Sequence, residues 1–295
     1  MDIHRTSDER FADLPDFPWE PRYREWDGLR LAHIDEGEGQ PIVLFHGEPS
    51  WSFLYRKIMH VLLERGYRVI APDQPGFGRS DKPTDIGWYS YDRHTAASAA
   101  LIEQLDLKDA VFVVQDWGGA IGLRIGTLEL PERVARFIPM DPALFTGRQQ
   151  MTEGWHAFRD FVERTEDLPI GLLVERACAT ELPDAVVAGY EAPFPTPESK
   201  AGARAFPLML PLTPTDPGAE AGQQVVDALR SDERPALLMW ADNDPVMPLE
   251  SVGRRMQSVF PTAEELSIIH DAGHFLQEDQ GDEIGALIAD WLQHT

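Results

Sequence analysis

The chain has 295 residues, 43% hydrophobic and 26% charged, the balance of a globular protein long enough to bury a large core. A formal charge of −24 argues against nucleic acid and anionic membranes as partners, since such a surface repels both. No apolar run reaches the ~18–20 residues that span a bilayer. The opening MDIHRTSDERFADLPDF has no apolar secretory stretch, and the lone cysteine, Cys178, permits no internal disulfide, so a cytoplasmic location is expected.

Along the chain, short apolar and β-branched runs predict strands over Leu29–Asp35, Pro41–Phe45, Arg68–Pro72, Ala110–Gln115, Ala135–Met140, Ala236–Trp240 and Glu265–His270. Helix-length segments lie between them at Phe53–Arg65, Tyr91–Leu105 and Gly119–Leu130. The strands are apolar throughout rather than alternating, the pattern of a sheet covered on both faces. The expected fold class is therefore α/β, a mostly parallel central sheet between layers of helices. The rhythm lapses over residues 144–213, which hold Pro-rich breaks (Ala192–Pro197, Pro207–Pro214) and helical pieces near Trp155–Arg164 and Leu172–Ala179. That stretch reads as a helical cap inserted into a core domain of residues 1–143 and 214–295.

The chemistry centres on Val111-Phe-Val-Val-Gln115-Asp116-Trp117-Gly118-Gly119, where an apolar strand meets one acidic residue, two glycines and a helix start. This strand–turn–helix layout is that of a nucleophile elbow, with Asp116 at its tip. A carboxylate attacking an acyl carbon would give an anhydride, whereas attack at a saturated carbon bearing a good leaving group gives a stable ester. Aspartate, with a reference pKa of ~3.9, needs no base for that first step. The ester must then be hydrolysed, which calls for a base. His274, in the loop after Ser267-Ile-Ile-His270, is the expected one, with His270 at the strand end as its competitor. The acid partner is expected at Asp244, before Pro245. Asp242 is the local alternative, and Asp141 before Pro142 is a third acid within possible reach.

With His46-Gly-Glu-Pro-Ser-Trp51, Gln115-Asp-Trp-Gly-Gly119 and Ala272-Gly-His-Phe275 in one chain, the sequence resembles the haloalkane dehalogenases over essentially its whole length. The similarity is to the subfamily whose loop reads HGEP, within the α/β-hydrolase fold. The resemblance implies that Asp116 is the nucleophile, His274 the base and Asp244 the orienting acid. The backbone N–H groups of Glu48 and Trp117 would form the oxyanion hole. Two indole N–H donors, Trp117 and the cap's Trp155, would hold the leaving halide. Glu48 stands where the other main subfamily has an asparagine donor, and Asn243 is the only asparagine in the chain, so the second halide donor must come from elsewhere. Asp141 stands where relatives tend to carry a neutral residue.

Phe206, Pro207, Leu210 and Val246 are candidate pocket-lining residues, and each fits core packing equally well. Gly76-Phe-Gly78-Arg-Ser80 lacks both dinucleotide and P-loop signatures and reads as a structural turn. No Cys/His cluster or HExxH pattern suggests a metal, and water is the only cosubstrate implied. The expected reaction converts a small halogenated hydrocarbon to a primary alcohol, halide and a proton, without an organic cofactor. An epoxide hydrolase shares the fold and nucleophile but requires cap tyrosines, and residues 144–213 hold one, Tyr190. A non-catalytic ligand-binding α/β-hydrolase is the remaining alternative, although binding alone requires no complete triad.

Overall fold

A computed structural model describes residues 1–295. One eight-stranded sheet is built from β1 (Arg22–Trp26), β2 (Leu29–Glu36), β3 (Pro41–Phe45), β4 (Arg68–Pro72), β5 (Ala110–Asp116), β6 (Val134–Pro142), β7 (Met239–Ala241) and β8 (Ser267–Ile269). Their spatial order is β8-β7-β6-β5-β3-β4-β2-β1. β2 runs antiparallel to both β1 and β4, and the pairings from β4 through β8 are parallel. Every residue of β5 is buried, as a central strand covered on both faces must be. Before the sheet's central strands, Ile3–His4 pairs with Lys82–Pro83 in a separate two-stranded ribbon.

Helices α1 (Arg56–Glu64), α2 (Tyr91–Gln104) and α3 (Trp117–Arg124) follow in the first half, and α3 runs on through a π-helical turn at Ile125–Glu129. Between β6 and β7 lie α4 (Glu153–Arg164), α5 (Ile170–Ala177), α6 (Asp184–Glu191), α7 (Ala201–Met209) and α8 (Ala219–Leu229). The C-terminal helix α9 (Leu276–Leu292) closes the chain. No helix is long and apolar enough to cross a membrane.

The sequence patterns locate seven of the sheet strands and miss β1. Its residues, Arg-Tyr-Arg-Glu-Trp, lie on the sheet's edge with no buried face, so they carry no hydrophobic period. Two helices of the insertion, α6 and α7, are not predicted by these patterns, and α7 runs into the expected break at Pro207–Pro214. Pro193 and Pro195 fall after α6, whereas α7 continues through Pro207 to Met209. Pro207 lies in the last turn of this nine-residue helix and is buried, so packing offsets the lost N–H.

The inserted helices are tied to the sheet domain at defined points. The Tyr190 hydroxyl on α6 donates to Glu278 Oε1 at 2.5 Å, and Glu278 is also held by the buried Arg56 guanidinium of α1. Trp51 donates its indole N–H to the Gly189 carbonyl at 3.2 Å. Asp279 accepts from Ala179 N and Thr180 N after α5 and from Gly273 N beside His274. His274 N itself donates to the Ala177 carbonyl at 2.8 Å. The loop that carries the histidine is thus fastened directly to the insertion.

Candidate active site

β5 ends in a turn that few residues accept. Asp116 adopts φ +50°, ψ −126°, outside the regions ordinarily open to L-residues, a strain of roughly 1–3 kcal/mol that the surroundings must hold. They do so by close backbone packing. A Cβ at Gly118 would lie 2.1 Å from the Phe45 carbonyl oxygen, and one at Gly47 would lie 2.4 Å from the Asp116 side chain. Glycine at both positions lets the start of α3 and the loop after β3 close around the carboxylate.

The two oxygens of Asp116 have different environments. Oδ1 accepts the backbone N–H of Glu48 at 2.9 Å. Oδ2 lies 3.7 Å from His274 Nε2, beyond hydrogen-bond range, and accepts no hydrogen bond. Trp117 N–H, at the first position of α3, is one of the helix-start amides that lack a helical acceptor. It makes no bond to Oδ1 in this structure. Donors of this kind are aimed at the position of an oxyanion rather than of a resting carboxylate.

Behind Asp116, His274 Nδ1 meets Asp244 Oδ2 at 2.8 Å. Asp244 Oδ1 accepts from Val246 N at 2.6 Å and Met247 N at 2.8 Å, so the acid is locked in direction. Burial alone would raise the Asp244 carboxyl, but the His274 charge, their hydrogen bond and the two amides hold it below the usual range. Burial alone would likewise lower His274, yet Asp244 and Asp116 together push it well above an ordinary histidine. Two carboxyl groups thus favour the charged form of the ring against the cost of its burial.

Two further carboxyl groups border the site. Burial, reinforced by the Asp116 charge, raises the Glu48 carboxyl well above its usual range, and its Oε1 is buried without a partner. Asp141, fully buried at the end of β6, is raised by burial and by the Asp244 charge. One oxygen from Asp141, one from Asp244 and a ring nitrogen of His274 lie within 4.8 Å of one another. Two negative charges at that separation would repel by about 3 kcal/mol at an effective dielectric of ~20, which favours a neutral Asp141.

The other candidates fall as follows. Asp242 pairs with the exposed His270 at 3.1 Å, so these two alternatives satisfy each other. Trp117 packs against Phe145 (4.6 Å between ring centroids), Phe206 (4.9 Å) and Tyr91 (6.3 Å). A cavity of about 10 Å³ lies beside it, bordered also by Met209 and Pro211. The Trp117 and Trp155 indole N–H groups donate to no protein acceptor, whereas Trp240 gives its own to the Met247 carbonyl. Trp155 is half-buried on α4, stabilised by the Thr152 cap, and is not in ring contact with Trp117. Phe206, Pro207 and Leu210 are buried, while Val246 is 44% exposed and serves the site through its backbone N–H. Gln115 was not singled out by the motif, yet its Nε2 donates to the His274 carbonyl at 3.1 Å. The only signal for it in sequence is a polar residue on an otherwise apolar strand.

Comparison with known proteins gives the family. The profile of the Alpha/beta hydrolase family matches residues 42–287. A haloalkane dehalogenase of Mycobacterium marinum is 41% identical, over 99% of this chain and all of its own. One from Psychrobacter cryohalolentis is 40% identical over 99% of this chain and 98% of its own. The tetrameric haloalkane dehalogenase DpaA from Paraglaciecola agarilytica superposes with a TM-score of 0.91 at 34% identity, covering 97% of each chain. An aspartate at the elbow distinguishes this site from that of a serine hydrolase, and full-length similarity extends through the insertion as well as the sheet: the chain belongs to the haloalkane dehalogenases of the alpha/beta hydrolase family.

Proposed function

We propose that the protein hydrolyses haloalkanes to a primary alcohol, halide and a proton through an ester on Asp116. The observation that carries this is the division of labour in the Asp116 carboxylate, with Oδ1 held by Glu48 N–H and Oδ2 free. Oδ2 attacks the carbon in line, forming the C–O bond as the C–halogen bond breaks. The halide leaves with the bonding pair, stabilised by the indole N–H donors of Trp117 and Trp155. Water then attacks the ester carbonyl as His274 Nε2 takes its proton, and charge collects on Oδ1 near the N–H groups of Glu48 and Trp117. Collapse expels the alcohol, which takes the proton held by His274, and the regenerated carboxyl releases the net proton. Residues 144–213 act as a cap over a core of 1–143 and 214–295, keeping water out of the first step. No metal or organic cofactor enters the scheme.

An epoxide hydrolase would need an acidic hydroxyl in the pocket. Tyr190, the insertion's one tyrosine, is instead fully buried and donates to Glu278. The direct test is halide and acid release from 1,2-dibromoethane and 1-bromobutane, run beside styrene oxide. Halide release without epoxide opening is expected, and the reverse result overturns the reading. Tyr190→Phe should leave halide turnover nearly unchanged while costing about 1.5–3 kcal/mol of stability, the range for a hydrogen bond to a charged group. Lost turnover in a folded Tyr190→Phe protein would mean that the hydroxyl takes part in the chemistry.

The halide donors can be tested separately. Trp155→Phe keeps an aromatic ring and removes the N–H, so the halide-forming step should slow on the order of 100- to 1,000-fold, as for loss of one transition-state donor. Rapid-quench measurement of the halide burst checks this, and an unchanged burst would remove Trp155 from the halide site.

A further inference from the structure

We propose that Asp141 is a positioning residue held as the neutral carboxylic acid, donating its proton to Asp244 and so forming a two-carboxyl support behind His274. This deepens the proposed function and rests on that reading for its kinetic consequences only.

Asp141 is 0% exposed and its Oδ1 accepts Ala241 N at 3.1 Å, whereas Oδ2 receives no N–H or O–H from any other residue. The polar groups beside it are Asp244 and His274, with one oxygen of each aspartate and a ring nitrogen of the histidine within 4.8 Å of one another. Asp244 uses Oδ1 for two backbone amides and Oδ2 for His274, and it has no proton of its own to offer Asp141. Two buried carboxyl groups this close favour holding one proton between them. Asp141 is the one that can carry it, because His274 hydrogen-bonds to Asp244 at 2.8 Å and makes no such bond to Asp141.

Nor can Asp141 turn away. It sits at φ +38°, in the left-handed region that an L-residue enters only when the chain compels it. The compulsion comes from the elbow: at this point the register between β5 and β6 shifts, and Ala143 N donates to the Asp116 carbonyl at 2.9 Å. The backbone turn that aims Asp116 at substrate thus also aims Asp141 at Asp244. From β5 the Asp116 carboxylate is directed to Glu48 N–H and His274, so Asp244 and His274 are the ionisable groups that bear on Asp141.

The consequence concerns pH. While Asp141 is neutral, its donated hydrogen bond draws charge from Asp244 and moderates the grip of Asp244 on the imidazolium. When Asp141 loses its proton, a second buried anion faces Asp244 and the pair is pushed apart. Ester hydrolysis should therefore fall on the alkaline side in the wild-type protein. Asp141→Asn keeps a donor and cannot titrate, so the alkaline fall should vanish with little change at neutral pH. Asp141→Ala removes the donor and should slow ester hydrolysis on the order of tenfold at neutral pH, without an alkaline fall and without altering the halide burst.

Infrared spectroscopy of the wild-type protein reads the proton itself. Isotopic labelling of the aspartate side-chain carboxyl carbon should shift one carbonyl band in the region of protonated acids. The buried Glu48 would keep its band unshifted. The shifted band should be absent from Asp141→Asn and disappear from the wild type at alkaline pH. Absence of any aspartate-derived band at neutral pH overturns the proposal, as does an alkaline fall that survives in Asp141→Asn. The wild-type infrared result needs no variant to fold and no substrate. If the band is present but no haloalkane is turned over, the proposed function fails and the carboxyl pair stands.

Discussion

Asp116→Ala is expected to abolish halide release, by on the order of 10⁴-fold or more, the scale of losing the nucleophile from a cooperating triad. The reason is specific to the geometry. Asp116 Oδ2 is the one carboxylate oxygen of the elbow left without a hydrogen bond, and no serine, threonine or cysteine stands at the tip to replace it. The variant should fold. The strained backbone at φ +50° is imposed by Gly47, Gly118 and their neighbours rather than by the carboxylate, and alanine removes a buried charge from the site. A further readout follows from the charges. Burial works against the His274 proton, while Asp244 and Asp116 support it, so removing Asp116 should bring the His274 pKa down toward the ordinary value. Halide assays, a thermal melt and an NMR titration of the ring test these statements together. A folded Asp116→Ala protein that still released halide would sink the assignment. A ligand-binding protein without catalysis would have no turnover to lose.

The elbow was legible in sequence because its parts are local. An apolar strand, an acidic tip and two glycines are adjacent, and the tight approach of Gly118 to the Phe45 carbonyl explains why a side chain is excluded there. His274 and Asp244 were legible for a related reason, since each follows a sheet strand and the parallel topology brings strand ends to one edge. Choosing between Asp244 and Asp242 was a matter of contact that no local pattern contains. The structure separates them by partner: Asp244 meets His274 and Asp242 meets His270. Gln115 and Asp141 were harder still. The role of Gln115 depends on a carbonyl 159 positions away, and the surroundings of Asp141 on a strand and a loop about a hundred residues on. In the insertion, helix α7 was hidden by Pro207, whose sequence signal is a break although the surrounding packing retains it inside the helix.

His274→Phe separates the two chemical steps. The alkylation step uses the Asp116 carboxylate and the halide donors, none of which phenylalanine removes, so up to one halide per protein should still be released. The ester should then persist, because no second imidazole lies beside Asp116: burial pushes the Glu48 carboxyl well above its usual range, and Gln115 contributes an amide. Mass spectrometry after 1-bromobutane should find one butyl group in place of a proton, on the peptide that contains Asp116. Steady turnover in this variant would overturn the role of His274. In the wild type, the same step should carry the pH dependence. Only neutral imidazole can accept the proton from water, and the resting His274 is held well above the usual histidine range, so hydrolysis should rise with pH toward that raised value. Esterification cancels the Asp116 charge, one of the two that hold the proton on His274, and the base becomes easier to deprotonate once there is an ester to hydrolyse. Single-turnover ester decay should therefore reach its plateau at a lower pH than the ring titration of the resting protein. Equal midpoints would show that the charge on Asp116 does not govern the base.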